Sequence, residues 1–226
     1  MKKFLLVLSV LVFASLACSA VAPTSAPNIP NVPDSTSVPV VPGQQILYQD
    51  DFSDSNSGWP AVSDADKSAS YSGGQYVIQA ITAKQDVWAH PGKSFGDVSI
   101  TVDATKSNGP DNNDFGLVCR FQDDNNFYFF VVSSDGFQAI GKYVNGDFSY
   151  LTADKMQPTT AMNAGTTLNK LRADCVGTTL TLYANGQMLS TATDTSFSSG
   201  DVGLLVGTFD DPNVSISFDN FVVTQP

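Results

Sequence analysis

Between about Ile46 and Val223 the chain is a succession of short runs in which apolar and polar residues alternate. Val98, Ile100, Val102 and Ala104 alternate with Ser99, Thr101, Asp103 and Thr105; Leu180 and Leu182 alternate with Thr179, Thr181 and Tyr183. A period of two places one set on each face of a strand. About a dozen such strands are predicted, and no long segment has helical period. Clusters of Gly, Asn, Asp and Ser separate the runs, as in sandwiches and barrels. Asn145-Gly146 and Asn185-Gly186 sit between strand-like runs and predict two tight hairpins, because both central residues of a type I′ turn need positive φ. The expectation for residues 46–226 is therefore one all-β domain of two packed antiparallel sheets.

Two strands can be placed in more detail. Phe115 to Phe121 and Phe127 to Ser133 flank the polar loop Gln122 to Asn126. A turn centred on Asp124 pairs Cys119 with Phe129 and Arg120 with Tyr128. Phe115, Leu117, Cys119, Phe121, Phe127, Phe129 and Val131 then share one wholly apolar face, which is expected to meet the core. Gly116, Val118, Arg120, Tyr128, Phe130 and Val132 share the other. A slip of one residue would exchange the faces. Near the C-terminus, Val214, Ile216 and Phe218 keep one phase and Phe221 and Val223 the other, which predicts a β-bulge at Asp219-Asn220.

The N-terminal part reads differently. Lys2 and Lys3 precede an apolar run from Phe4 to Phe13, interrupted by Ser9. That run is too short for a permanent span, which needs about 20 residues, and is expected to be a signal peptide over 1–17. Ser15-Leu16-Ala17-Cys18 resembles the lipobox at which bacterial lipoproteins are cleaved and acylated, although Leu16 stands two residues before the Cys where the usual pattern has three. Lipidation at Cys18 is the expectation, and an ordinary secretory cleavage site the alternative. Residues 18–45 hold six prolines from Pro23 to Pro42, which predicts a structureless extended spacer between membrane and domain. Of the three cysteines, one for lipid leaves Cys119 and Cys175 as a disulfide, or as two free buried thiols.

Charge narrows the partners. The net charge is −11, with no basic patch, so nucleic acid is not an expected partner. All 22 acidic residues are Asp.

Several motifs resemble a known fold. Leu180-Thr-Leu-Tyr-Ala-Asn-Gly186 resembles the strand, Asn-Gly, strand hairpin of laminin-G-like and concanavalin A-like jelly rolls. Gly116-Leu-Val-Cys-Arg120, Asn126-Phe-Tyr-Phe-Phe130 and Asp135-Gly136 resemble their central strands. Asp50-Asp51-Phe52 through Gly58-Trp59 is similar to the start of such a domain, and Phe218-Asp-Asn-Phe221 to its end. The branch resembled is the 3-keto-disaccharide hydrolase-like or family-16-like one, with fructan-binding modules as relatives, over residues 46–226. The resemblance implies a twisted jelly-roll sandwich whose concave face binds sugar. It does not carry an activity, because the fold hosts many.

The candidate chemistry follows from these residues. Glycoside hydrolysis needs two carboxyls about 5 to 10 Å apart. Jelly-roll glucanases of the resembled fold use a Glu-x-Asp-x-x-Glu strand, which a chain without Glu cannot build. A hydrolase or lyase would have to rely on Asp, and most Asp residues sit in turns such as Asp123-Asp124 and Asp210-Asp211. Surface binding of a carbohydrate is the leading expectation. Trp88, Tyr128 and Tyr143 are candidates for stacking on sugar rings, with Trp59 more consistent with core packing. Arg120, Asp114 and His90 are candidates for hydrogen bonds to hydroxyls. Against these, Arg120 also reads as a structural ion pair with an Asp, and His90 as a surface residue beside a turn. Calcium is a second idea. Asp50, Asp51, Asp219 and Asn220 would meet if the first and last strands pair, and Asp111-Asn112-Asn113-Asp114 is another oxygen-rich run. The alternative is that these side chains bond their own turns. A structural or adhesive module that binds protein is the third reading, and it predicts that a loop covers the mixed face.

Overall fold

The computed structural model describes residues 44–226. The expected signal peptide, the lipidation of Cys18 and nearly all of the spacer lie outside the described residues. Alternation yields sixteen strands: β1 (Ile46–Asp50), β2 (Val62–Ser63), β3 (Lys67–Ser72), β4 (Gln75–Ala80), β5 (Asp86–Ala89), β6 (Val98–Asn108), β7 (Asn113–Asp123), β8 (Asn126–Val132), β9 (Phe137–Val144), β10 (Asp147–Tyr150), β11 (Gln157–Pro158), β12 (Asn169–Val176), β13 (Thr179–Ala184), β14 (Gln187–Thr193), β15 (Asp201–Thr208) and β16 (Val214–Thr224). No helix occurs among the described residues.

The strands form two antiparallel sheets. One runs β14-β13-β12-β6-β16-β4-β3-β2, with β1 also on β16; the other runs β10-β9-β8-β7-β15-β5, with β11 on β9. Strands distant in sequence, such as β6 and β16 or β7 and β15, lie side by side, as jelly-roll crossings require. Both Asn-Gly turns form as expected, with φ of 53° and 83° at Asn145-Gly146 and 50° and 81° at Asn185-Gly186. The bulge at Asp219-Asn220 is also present: the pairing of β16 with β6 shifts there, and Asn220 has φ 53°. It lets the first half of β16 pair with β4 and the second half with β1.

Two hydrophobic cores result. The large one lies between the sheets, where Ile100 and Val102 of β6 and Phe218 and Phe221 of β16 meet Phe115 and Leu117 of β7 and Phe130 of β8. Cys119 and Cys175 are disulfide-bonded inside it and join β7 to β12, one strand of each sheet. Trp59 packs in the same core, edge-on to Phe52 and Phe221. The smaller core lies on the opposite face of the seven-stranded sheet and holds Val118, Phe121, Phe127, Phe129, Val131, Ala139 and Leu205.

This second core corrects the expected β7–β8 register. Cys119 pairs with Tyr128, not Phe129, and Val118 pairs with Phe129. Phe115, Leu117 and Cys119 do face inward, but their partners on that side are Tyr128, Phe130 and Val132. The ladder then shifts between Cys119 and Asp123, where Arg120 takes a φ of 52°. The left-handed residue reverses the phase of β7, so Phe121 turns to the outer face with Phe127, Phe129 and Val131. Because both faces of β8 are buried, its alternation carries no signal for which side is inward.

Candidate functional site

The outer face of the seven-stranded sheet is assembled from alternate residues of its strands. Gly207 of β15 is paired with Asp86 of β5 on one side and Asp114 of β7 on the other. Directly opposed residues share a face, so two carboxyl groups flank a position without a side chain. They close over it. A Cβ at Gly207 would overlap Asp114 Oδ1 and lie 2.5 Å from Asp86 Oδ1. The facing oxygens therefore lie within the space one small side chain would fill. Tyr143 of β9 donates its hydroxyl to Asp86 Oδ2 at 2.7 Å. Asp114 Oδ1 is buried and has no hydrogen-bond partner.

Burial dominates the titration of this pair. It raises the pKa of Asp86, with the Tyr143 hydrogen bond opposing, and it raises that of Asp114 well above the usual range, with the charge of Asp86 adding to the effect. The pair thus keeps a proton where exposed aspartates have lost theirs, and titrates as a unit. The neighbouring phenols respond. Burial, then Asp114 and Asp86, push Tyr150 up to about 12, and Tyr143 is raised further by burial and by Asp86.

Aromatic rings surround the acids. Phe127 stacks on Tyr143 at 4.9 Å and Phe129 on Phe148 at 5.3 Å, while Phe148 meets Tyr150 edge-on at 4.7 Å. Trp88 tilts against Phe127 at 5.2 Å and donates its indole N–H to Asp124. Gly141 makes room for the Phe129 ring, which occupies the place a Cβ would take. Phe148 is 48% exposed, and Trp88, Tyr143 and Tyr150 are half-buried. Next to the acid pair opens a pocket of about 360 Å³ walled by Phe148, Tyr150 and Phe209. A second of about 600 Å³ shares Tyr150 and Phe209 and extends toward Asp135 and Lys155. Tyr150 and Met156 cover part of the sheet face, and these pockets remain open beside them.

The expected site residues separate into two groups. Trp88, Asp114 and Tyr143 share this face. His90 lies farther along β5's extension, with its ring 4.3 Å from that of Phe121 and Nδ1 2.8 Å from Asp201. Arg120 and Tyr128 are elsewhere, and the site expected around them is corrected. The left-handed backbone at Arg120 turns its side chain inward, 1% exposed, where the guanidinium donates to the Phe197 carbonyl at 2.8 Å and to Asp97 at 3.0 Å. The structural ion pair weighed for Arg120 is thus the one formed. Tyr128 is fully buried between the sheets and donates to Asp194 at 2.6 Å. Asp86, Phe148 and Tyr150 were not singled out from sequence. The signal available for them was Gly207, because a glycine inside a strand marks a close approach.

The oxygen-rich run at the chain ends is placed as expected in one respect: β1 pairs with β16, with Asp50 opposite Phe221. Its side chains serve their own turns. Asp50 accepts from the Phe52 N–H and the Tyr48 hydroxyl, Asp51 from Ser53, and Asp219 from the Asn220 N–H. Asn220 donates to Asp103. Among the described residues, no three His, Cys or acidic side chains converge as metal ligands.

The outer face of the other sheet holds a pocket of about 440 Å³, but its charges are mutually satisfied. Lys170 pairs with Asp103, and Arg172 pairs with Asp174 while covering the Tyr183 ring at 4.7 Å.

No protein-family model matches the sequence, and no curated protein matches it significantly. Solved structures share its fold. A carbohydrate-binding module, CBM66, from Bacillus subtilis superposes with a TM-score of 0.61 at 19% identity, over 75% of this chain and 96% of that one. An endo-β-galactosidase from Clostridium perfringens that releases GlcNAcα1-4Gal gives 0.62 at 9% identity, over 84% and 65%. A β-glucanase from Bacillus licheniformis gives 0.55 at 12%, over 83% and 100%. The architecture is the jelly-roll sandwich common to these proteins.

Proposed function

We propose that residues 46–226 bind carbohydrate without cleaving it, on the outer face of the seven-stranded sheet, and that the domain is held outside the cytoplasm by lipid on Cys18. The observation that carries the binding reading is the cluster of Trp88, Tyr143, Phe148 and Tyr150 around two convergent carboxyls. The flat C–H faces of a sugar ring stack on aromatic rings, and its hydroxyls pair with carboxylates in a pocket lined mostly by apolar groups. Fold likeness to a carbohydrate-binding module and to two glycan-cleaving enzymes supports the same ligand class.

Two convergent Asp carboxyls are also what an Asp-based glycosidase would require. Asp86 and Asp114 stand side by side on one sheet face across Gly207, whereas the two carboxyls of a glycosidase flank the scissile bond from opposite sides. Buried neighbours of like charge resist ionising together and do not flank a glycosidic bond, which favours binding.

The buried disulfide fits an oxidising compartment, in keeping with the charged start, apolar run and Cys18 of the N-terminal segment. Glycan-array binding by the purified protein is expected, with loss of signal in Trp88→Ala and Tyr150→Ala and retention in Arg120→Ala. A folded protein that binds no glycan overturns the reading. Incorporation of labelled fatty acid, abolished by Cys18→Ala, tests the anchor.

A further inference from the structure

From the geometry of the Asp86–Asp114 pair we infer that the ligand of this face carries a cationic nitrogen, and that its class is a saccharide with a free amino group. This rests on the carbohydrate reading above and narrows it.

Among the described residues, no basic side chain forms an ion pair with Asp86 or Asp114. Around the pair stand the phenols of Tyr143 and Tyr150, and the Tyr143 hydroxyl donates to Asp86. At the rim of the pocket, Lys84 is bound to Asp210 at 3.2 Å, and both are largely exposed. Asp114 lines the pocket, is itself 9% exposed, and carries one buried oxygen, Oδ1, without a hydrogen-bond partner. A buried acceptor left unpaired is costly, and a donor arriving with the ligand relieves that cost. An ammonium brings three donors and a charge. The walls suit it as well, since the faces of Phe148 and Tyr150 attract cations. A uronic or sialic acid would meet Asp86, Asp114 and Asp210 together and be repelled. An N-acetylated amine offers one neutral N–H and a methyl group in place of the charge.

The proton balance follows. The ammonium takes the place of a proton held on the pair, and that proton passes to solvent. Affinity for the amine should therefore rise as the pair becomes easier to ionise and fall again once the ligand's own amine loses its charge. An N-acetylated ligand should show neither limb.

Isothermal titration of the purified protein with glucosamine oligomers, the same oligomers N-acetylated, and glucose oligomers tests this, in two buffers of different ionisation heat. The amine series should bind at least about tenfold tighter than the N-acetylated series, with a bell-shaped pH profile and release of about one proton per site. Asp114→Asn, whose folding is checked by thermal melt, should abolish the preference and the proton release. Equal affinity for amine and N-acetylated oligomers, or a preference that survives both Asp114→Asn and Asp86→Asn, overturns the inference and leaves the carbohydrate reading intact. Binding only to other glycans of the array has the same consequence. If no glycan binds at all, the carbohydrate reading itself fails, and this inference with it.

Discussion

Reducing the Cys119–Cys175 bond should cost the domain a large share of its stability. The bond joins β7 of one sheet to β12 of the other across a separation of 56 residues, and both cysteines are fully buried. Closing a loop of that length removes denatured-state entropy worth about 4 kcal/mol at 25 °C in the chain-entropy model. Domains of this kind have only about 5–15 kcal/mol in total, so the reduced protein should unfold at much lower urea. The slope of the transition should also steepen, because an uncrosslinked chain exposes more surface when it unfolds. Equilibrium urea titration with and without reductant, followed by tryptophan fluorescence, measures both quantities. Trp59 packs inside the core and reports on it directly. Mutating both cysteines to Ala would add the loss of two buried sulfur atoms, so reduction is the cleaner perturbation. A reduced protein whose free energy of unfolding falls by less than about 1 kcal/mol would refute the entropic argument. Reaction of these two thiols in the denatured, unreduced protein would refute the bond itself.

Four further outcomes are expected. The raised pKa values of Asp86 and Asp114 mean that the pair supports folding at acid pH and that this support is lost as pH rises through the folded values; Asp114→Asn should therefore melt higher than the parent at alkaline pH and converge with it in acid. Asp194 has the opposite sign: burial would raise its pKa, but hydrogen bonds from Lys142, Ser196 and Tyr128 outweigh that and hold it well below the usual range, so its contribution is present above about pH 4 and lost as pH falls through the folded value, a loss that Asp194→Asn should remove from acid melts. Gly207→Ala places a methyl group against both carboxyls and should cost about 1–3 kcal/mol of overpacking together with ligand binding, measured by urea titration and calorimetry. Arg120→Ala removes two hydrogen bonds of a buried guanidinium and should cost about 1–3 kcal/mol with glycan affinity unchanged, which places Arg120 in the scaffold and not in the site.

Local rules read from the chain were sufficient for the two Asn-Gly turns and for the bulge in β16. Asn145-Gly146 and Asn185-Gly186 turn because their positive φ suits those residues, and β16 bulges at Asp219-Asn220 because its apolar phase changes there. The all-β class was legible from period-two alternation, whereas the count of cysteines left Cys119 and Cys175 as a disulfide or as two free thiols, and the structure bonds them. The site was not. Alternation says that one side of a strand is buried, but it cannot say against what. In β8 both sides are buried, Tyr128, Phe130 and Val132 between the sheets and Phe127, Phe129 and Val131 beneath the outer aromatic cover, so the strand looks the same in either register. One left-handed residue, Arg120, decides where β7 changes face, and the space that accepts its side chain is made by Asp97 and Phe197, distant in the chain. Asp86 and Asp114 meet only because β15 lies between β5 and β7 and carries a glycine at that level. Strand order is a property of the packed sheets, since it depends on which layers bury which faces, and a single strand's pattern contains no information about its neighbours.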